Sequence, residues 1–148
     1  MSGTLREKAL RLLARREYAR AELARKLAIH AESPEVLEAL LDDLNARHLL
    51  SDERYVEMRL NARGARFGNA RLSYELRTQG VSEELVDAAL ASGEDELTRA
   101  RQVWIRKFGK ESAELDAAGR ARQMRFMMSR GFSGATIRSL FRGNFEDD

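Results

Sequence analysis

One spacing recurs three times along this chain and limits the folds open to it. Ser33, Ser82 and Ser133 lie 49 and 51 residues apart. Four, seven and eight residues after each stand Leu37, Leu40 and Leu41, then Val86, Ala89 and Leu90, then Ile137, Leu140 and Phe141. Six residues before each stand Leu27, Leu76 and Met127. Offsets of four, seven and eight fall on one side of an α-helix, so each Ser reads as the N-cap of a helix with an apolar face. Gly131-Phe132-Ser133 repeats Gly80-Val81-Ser82 in kind, with Gly free to take the left-handed turn that ends a helix. A period of about 50 residues is that of stacked helical repeats. The expected fold is all-α, an elongated, curved array of three tandem three-helix repeats over residues 1–50, 51–92 and 93–148, the last with a short acidic tail.

The remaining elements follow from caps and periodicity. Thr4-Leu5-Arg6-Glu7 has the form of a capping box, and Ala9, Leu10, Leu12 and Leu13 give the first helix its apolar side. Leu23, Ala24 and Leu27 do the same for the second. The third opens on Pro34, whose missing N–H is harmless at that position. Tyr18 and Phe67 occupy the same place relative to their downstream Ser. Ser51 is placed to cap a helix carrying Tyr55, Val56 and Met58, and Gly64 and Gly68 bracket a turn. Leu72, Leu76 and the aliphatic part of Arg77 line the next helix. Glu83 and Glu84 stand in the first turn after Ser82, where the helix dipole favours them. A long helix from about Glu94 to Phe108 turns Leu97, Ala100, Val103, Trp104 and Phe108 inward and stops at Gly109. Residues 110–118 read as a loop or a frayed turn. A helix over 120–130 carries Met124, Met127 and Met128, and one over 133–142 closes the array before a loose tail from Phe145.

Several chemistries are excluded. The chain has no Cys, hence no disulfide framework, thiol nucleophile or Cys-based zinc site. Its two His, His30 and His48, fall near predicted helix ends and suit surface or capping roles. No GxxxxGK[ST] loop is present. Acidic pairs such as Asp42-Asp43 read as solvated helix faces, and Trp104 and Phe108 as core. We therefore expect no catalytic residue, metal or cofactor. No apolar run reaches the length of a signal peptide or a membrane span, so the expectation is a soluble, cytoplasmic protein.

The net charge of +2 conceals a segregated pattern. Residues 1–30 carry 8 basic and 3 acidic groups, and 31–57 carry 2 and 8; the alternation continues, with 5 and 1 over 58–80 and 0 and 6 over 81–98. In each unit the cations gather on the first two helices and the acids on the third. The candidate contact residues are Arg15, Arg16, Arg20, Arg25 and Lys26 in the first unit, and Arg63, Arg66, Arg71 and Arg77 in the second. Arg120, Arg122 and Arg125, with Arg130 nearby, belong to the third. Units stacked in one direction would align them into a basic face suited to nucleic acid or another charged polymer. The competing reading is that neighbouring units neutralise one another in surface ion pairs.

Longer segments resemble the RecX family, regulators of the bacterial recombinase RecA. Leu49-Leu50-Ser51-Asp52-Glu53-Arg54-Tyr55 is similar to the family's L-x-D-[DE]-x-[RK]-[FY], with Ser51 as a departure. Gly68-Asn69-Ala70-Arg71-Leu72-Ser73-Tyr74-Glu75-Leu76 is similar to G-x-x-[RK]-[IL]-x-x-E-L, and the Gly-Val after it also matches. Ala9 to Arg16 with Glu22 to Leu27 matches the family's opening, A-L-x-x-L-x-x-R followed by E-L-x-x-K-L. The third unit is matched only generically.

The resemblance implies three tandem three-helix repeats. It also implies a non-enzymatic inhibitor that lies in the groove of the RecA–single-stranded-DNA filament, limiting its extension, ATP hydrolysis, strand exchange and the cleavage of LexA. The expected partner is then the RecA filament, with single- or double-stranded DNA beside it and a monomer sufficient. Two rivals are a nucleic-acid-binding helical module acting without RecA, and a structural adaptor whose charges serve solubility alone.

Overall fold

Each Ser placed as an N-cap opens a helix. In the computed structural model, which describes residues 3–111 and 115–145, α1 spans Leu5–Arg15, α2 Arg20–Leu27, α3 Pro34–Ala46, α4 Asp52–Arg63 and α5 Asn69–Thr78. They are followed by α6 over Glu83–Ser92, α7 over Glu96–Phe108, α8 over Ala117–Ser129 and α9 over Gly134–Phe145, and a single 3-10 turn, Ala28–His30, extends α2. No strand occurs among the described residues. Thr4 and Glu7 form the reciprocal capping box on α1. The hydroxyls of Ser33, Ser51, Ser82 and Ser133 accept from Val36, Arg54, Leu85 and Thr136 N–H groups, each satisfying a donor the helix leaves open. Asp116 caps α8, so that helix begins three residues before the expected Arg120. Asp95 caps α7, and α9 continues to Phe145. The acidic end of the tail, 146–148, and residues 112–114 of the ambiguous segment lie outside the described residues.

Three helices end in one hydrogen-bond pattern. The N–H groups of Leu49, Val81 and Phe132 donate five residues back to Leu44, Leu76 and Met127 at 2.9, 3.2 and 3.3 Å. This closure requires a left-handed residue just before the donor. His48, Gly80 and Gly131 supply it, with φ of 62°, 89° and 91°.

The chain gathers into two units. The first comprises the chain up to Arg59 together with Leu76–Val86, and the second Leu60–Glu75 with the chain from Asp87 onward. In the first, Ala9, Leu23, Leu27, Leu41, Leu44 and Leu50 close a core beside Tyr18, and each Leu so buried contributes about 1.5–3 kcal/mol. Leu10, placed inward by periodicity, is partly exposed at the rim. In the second, Ala100, Val103, Met127, Phe132, Ile137, Leu140 and Phe141 form the core, edged by Leu97, Trp104, Met124 and Phe126. Trp104 donates its indole N–H to the buried Gln123 at 2.9 Å, consistent with a packing role. Met128 and Arg77 are exposed, not apolar-face residues, because each falls just outside the arc its helix buries.

A joint found in the first unit recurs in the second. In the first, the N–H of Arg20, the opening residue of α2, donates to Asp52, the opening residue of α4, at 2.8 Å. In the second, the N–H of Asn69, opening α5, donates to Glu96, opening α7, at 2.7 Å. Alongside each joint a left-handed Gly presses on a helix: Gly80 on Ala21, and Gly131 on Arg71. A helix without its own side-chain cap thus borrows a carboxylate from further along the chain.

Candidate functional site

Phe67 lies in the short turn between α4 and α5 and is buried. Arg99, itself buried on α7, fixes that turn by donating to the carbonyls of Gly64 and Phe67 and to the side chain of Asn69. Burial pushes the Arg99 pKa down, opposed by the nearby Glu96, Glu94 and Asp95. Arg106 adds a further hydrogen bond to the Ala65 carbonyl. Gly68 packs so closely on the backbone of Gly131 and Phe132 that a Cβ there would overlap it, and its N–H donates to the Arg130 carbonyl at 2.7 Å. The turn is held from several sides.

Four guanidinium groups surround the ring thus fixed. The carbons of Arg63, Arg71, Arg130 and Arg66 lie 4.4, 4.5, 5.3 and 5.5 Å from its centroid. All are within cation–π range, worth about 0.5–1 kcal/mol each at exposed sites. Glu75 accepts two hydrogen bonds from Arg63, at 2.6 and 2.8 Å, and one from Arg71 at 3.3 Å. Arg66 and Arg130 make no side-chain hydrogen bond to another described residue.

The pattern continues along α7 and α8. Arg130 also stands 5.0 Å from the Phe126 ring, with Lys107 at 5.3 Å from the same ring. Phe126 meets Phe108 edge-to-face at 5.3 Å, and Arg122 lies 5.6 Å from Phe108 while pairing with Glu111 at 2.6 Å. The second unit therefore carries a strip in which Phe67, Phe126 and Phe108 alternate with cations. Such a strip can hold guanidinium groups in place for phosphate or carboxylate acceptors.

Of the expected residues, Arg63, Arg66, Arg71 and Arg122 come together in this strip. Arg125 and Arg120 are exposed on α8, and Arg77 on α5, with Arg77 and Arg120 each engaged by a neighbour. In the first unit several cations are spent on local pairs. Arg16 lies 3.6 Å from the Tyr18 centroid and binds Glu22 at 2.7 Å, and Arg20 binds Glu38 and Asp42 at 2.6 and 2.7 Å. Arg25 donates to Gln79 at 2.5 Å. Arg15 and Lys26 line a cleft between α1 and α2. Sequence reasoning missed Arg99, Arg106 and Lys107; their signal was the acid-free basic run 99–110, which periodicity alone does not divide into buried and exposed members.

Among the described residues no His, Asp and Glu side chains gather as metal ligands, and no helix is long and apolar enough to cross a membrane. Residues 6–44, 51–90 and 94–141 match the first, second and third three-helix domains of RecX. This chain belongs to the RecX family. It is 44% identical over 146 residues to the regulatory protein RecX of Herminiimonas arsenicoxydans, covering 98% of this chain and 95% of that one. It is 49% identical over 140 residues to the regulatory protein RecX of Leptothrix cholodnii, covering 94% and 88%. These RecX relatives bear the name of a regulatory protein, not of an enzyme. The fold is also that of the crystal structure of RecX from Lactobacillus salivarius, with a TM-score of 0.82 at 16% identity, covering 95% of this chain and 94% of that one.

Proposed function

We propose that this chain restrains RecA by binding in the groove of the RecA–single-stranded-DNA filament, limiting its extension, ATP hydrolysis, strand exchange and coprotease activity. The observation that carries this reading is the strip built on Phe67, in a chain of the RecX family. A filament on single-stranded DNA presents the strand's phosphates at repeated intervals. Guanidinium groups already placed by an aromatic ring and by Glu75 lose little freedom on meeting them. Several modest contacts along one filament then act together. The working division is into three repeats, 1–50, 51–92 and 93–148, acting as a cytoplasmic monomer. RecA ATPase on single-stranded DNA, with substoichiometric amounts of this protein, tests the reading. Inhibition is expected, and an unchanged rate overturns it.

A second reading, direct nucleic-acid binding without RecA, draws on Arg66 and Arg130, which have no carboxylate partner among the described residues. Binding to bare DNA as tight as to RecA-coated DNA at physiological salt would favour it.

A further inference from the structure

The cleft between α1 and α2 has about 420 Å³ of room, and its lining is unlike the rest of the first unit. Lys8, Arg11, Arg15 and Lys26 line it with the His30 ring, over a base formed by Leu12 and Leu27. Among the described residues no carboxylate joins them in the lining. None of the four cations makes a side-chain hydrogen bond or ion pair with another described residue, whereas Arg16 and Arg20, just outside the cleft, are neutralised by Glu22, Glu38 and Asp42. Glu7, beside Lys8 on α1, is held chiefly by the Thr4 capping box, and the charges of Arg11 and Lys8 act on it more weakly. Among the described residues the four cleft cations thus share one space without an ion pair, Lys26 lying also 6.0 Å from the Tyr18 ring.

The arrangement selects among anions. Four permanent cations exceed what one phosphate dianion can satisfy, so the ligand carries several phosphates. Lys8, Arg11 and Arg15 stand at positions i, i+3 and i+7 of α1, a row about 10 Å long at 1.5 Å per residue. A row of that length is longer than a nucleotide's own phosphate chain and suits successive phosphates along one strand, each a separate acceptor for a cation. Beside His30, Ile29 is 86% exposed, an apolar side chain free to meet a base. We infer that the α1–α2 cleft binds a short run of backbone phosphates of single-stranded nucleic acid. This gives the protein its own grip on the strand, a grip that rests on the filament reading only for the strand being one that RecA coats.

The test uses the full chain without RecA. Fluorescence anisotropy of labelled oligo(dT) is measured at 50 and 200 mM salt. Four phosphate contacts at a single-strand slope of about −0.7 each weaken binding about 50-fold across that range. In Arg11→Ala/Arg15→Ala/Lys26→Ala one contact remains and the loss shrinks to about threefold, while Arg142→Ala behaves as wild type. Should the triple variant lose its helical circular dichroism, Lys8→Gln alone must lower the slope by about 0.7. A wild-type salt slope in the folded variant overturns the inference. So does displacement of the strand by ATP as effective as that by unlabelled oligo(dT), which would reassign the cleft to free nucleotides. Wild-type protein that inhibits RecA ATPase yet fails to bind bare oligo(dT) overturns this inference alone; failure of both removes the filament reading as well.

Discussion

The Asn69 N–H donates to the Glu96 carboxylate at 2.7 Å, while Glu96 also accepts from the hydroxyls of Ser133 and Thr136 at 3.2 and 2.6 Å. One side chain thus caps α5 and holds the start of α9. Glu96→Ala removes all three acceptor contacts and should cost about 1–3 kcal/mol. Urea unfolding measures it, and a midpoint within error of wild type would contradict the joint.

Gly68 leaves no room for a side chain against Gly131 and Phe132. The neighbouring atoms are backbone, so they cannot swing aside. Gly68→Ala should therefore lower stability by about 1–3 kcal/mol. It should also blunt RecA inhibition, because the displaced turn carries Phe67. Thermal melts and the ATPase assay read the two effects separately.

His48 closes α3 at a φ of 62°, where Gly80 and Gly131 close α5 and α8. A β-carbon is unfavourable there, so His48→Gly should stabilise the protein by roughly 0.5–1 kcal/mol, read as a higher urea midpoint.

Phe67 positions its arginines through the ring and supports the fold through its bulk. Phe67→Leu keeps most of the apolar burial and removes the π face. The expected result is near-normal helical content with inhibition of RecA reduced severalfold. Phe67→Tyr should retain most inhibition, since it keeps the ring. Equal loss in both variants would mean that packing, not cation placement, is what the ring supplies.

Asp43 accepts from Arg6 and Arg47, and these hydrogen bonds hold its carboxyl below the usual carboxylate range. A depressed folded value means that the stabilisation is present above the unfolded pKa, about 3.9, and lost as pH falls through the folded one. Arg6→Ala/Arg47→Ala should return the Asp43 carboxyl shift, followed by NMR between about pH 2 and 6, to the ordinary range.

Much of the fold was legible because caps and buried positions share one period. Ser33, Ser82 and Ser133 all cap helices, and Leu27, Leu76 and Met127 are all buried. Tyr18 and Phe67, alike in position, are alike in use, each a buried ring with at least one guanidinium over it. The site was less legible. Spacing identifies which side of a helix is polar, but not which acid a given cation meets. Arg20 reaches across to Glu38 and Asp42 on α3, whereas Arg15 pairs with no acid among the described residues. Arg99 carries the same charge as its neighbours yet is buried, because the carbonyls of Gly64 and Phe67 converge where α7 passes.

The borrowed carboxylates also order events on the ribosome. The start of α2 lacks its acceptor until the chain has grown 32 residues further to Asp52, and the start of α5 until it has grown 27 further to Glu96. Each of these N–H groups is therefore expected to stay with water while its downstream partner is still inside the exit tunnel, so that the joints form in order from the amino end.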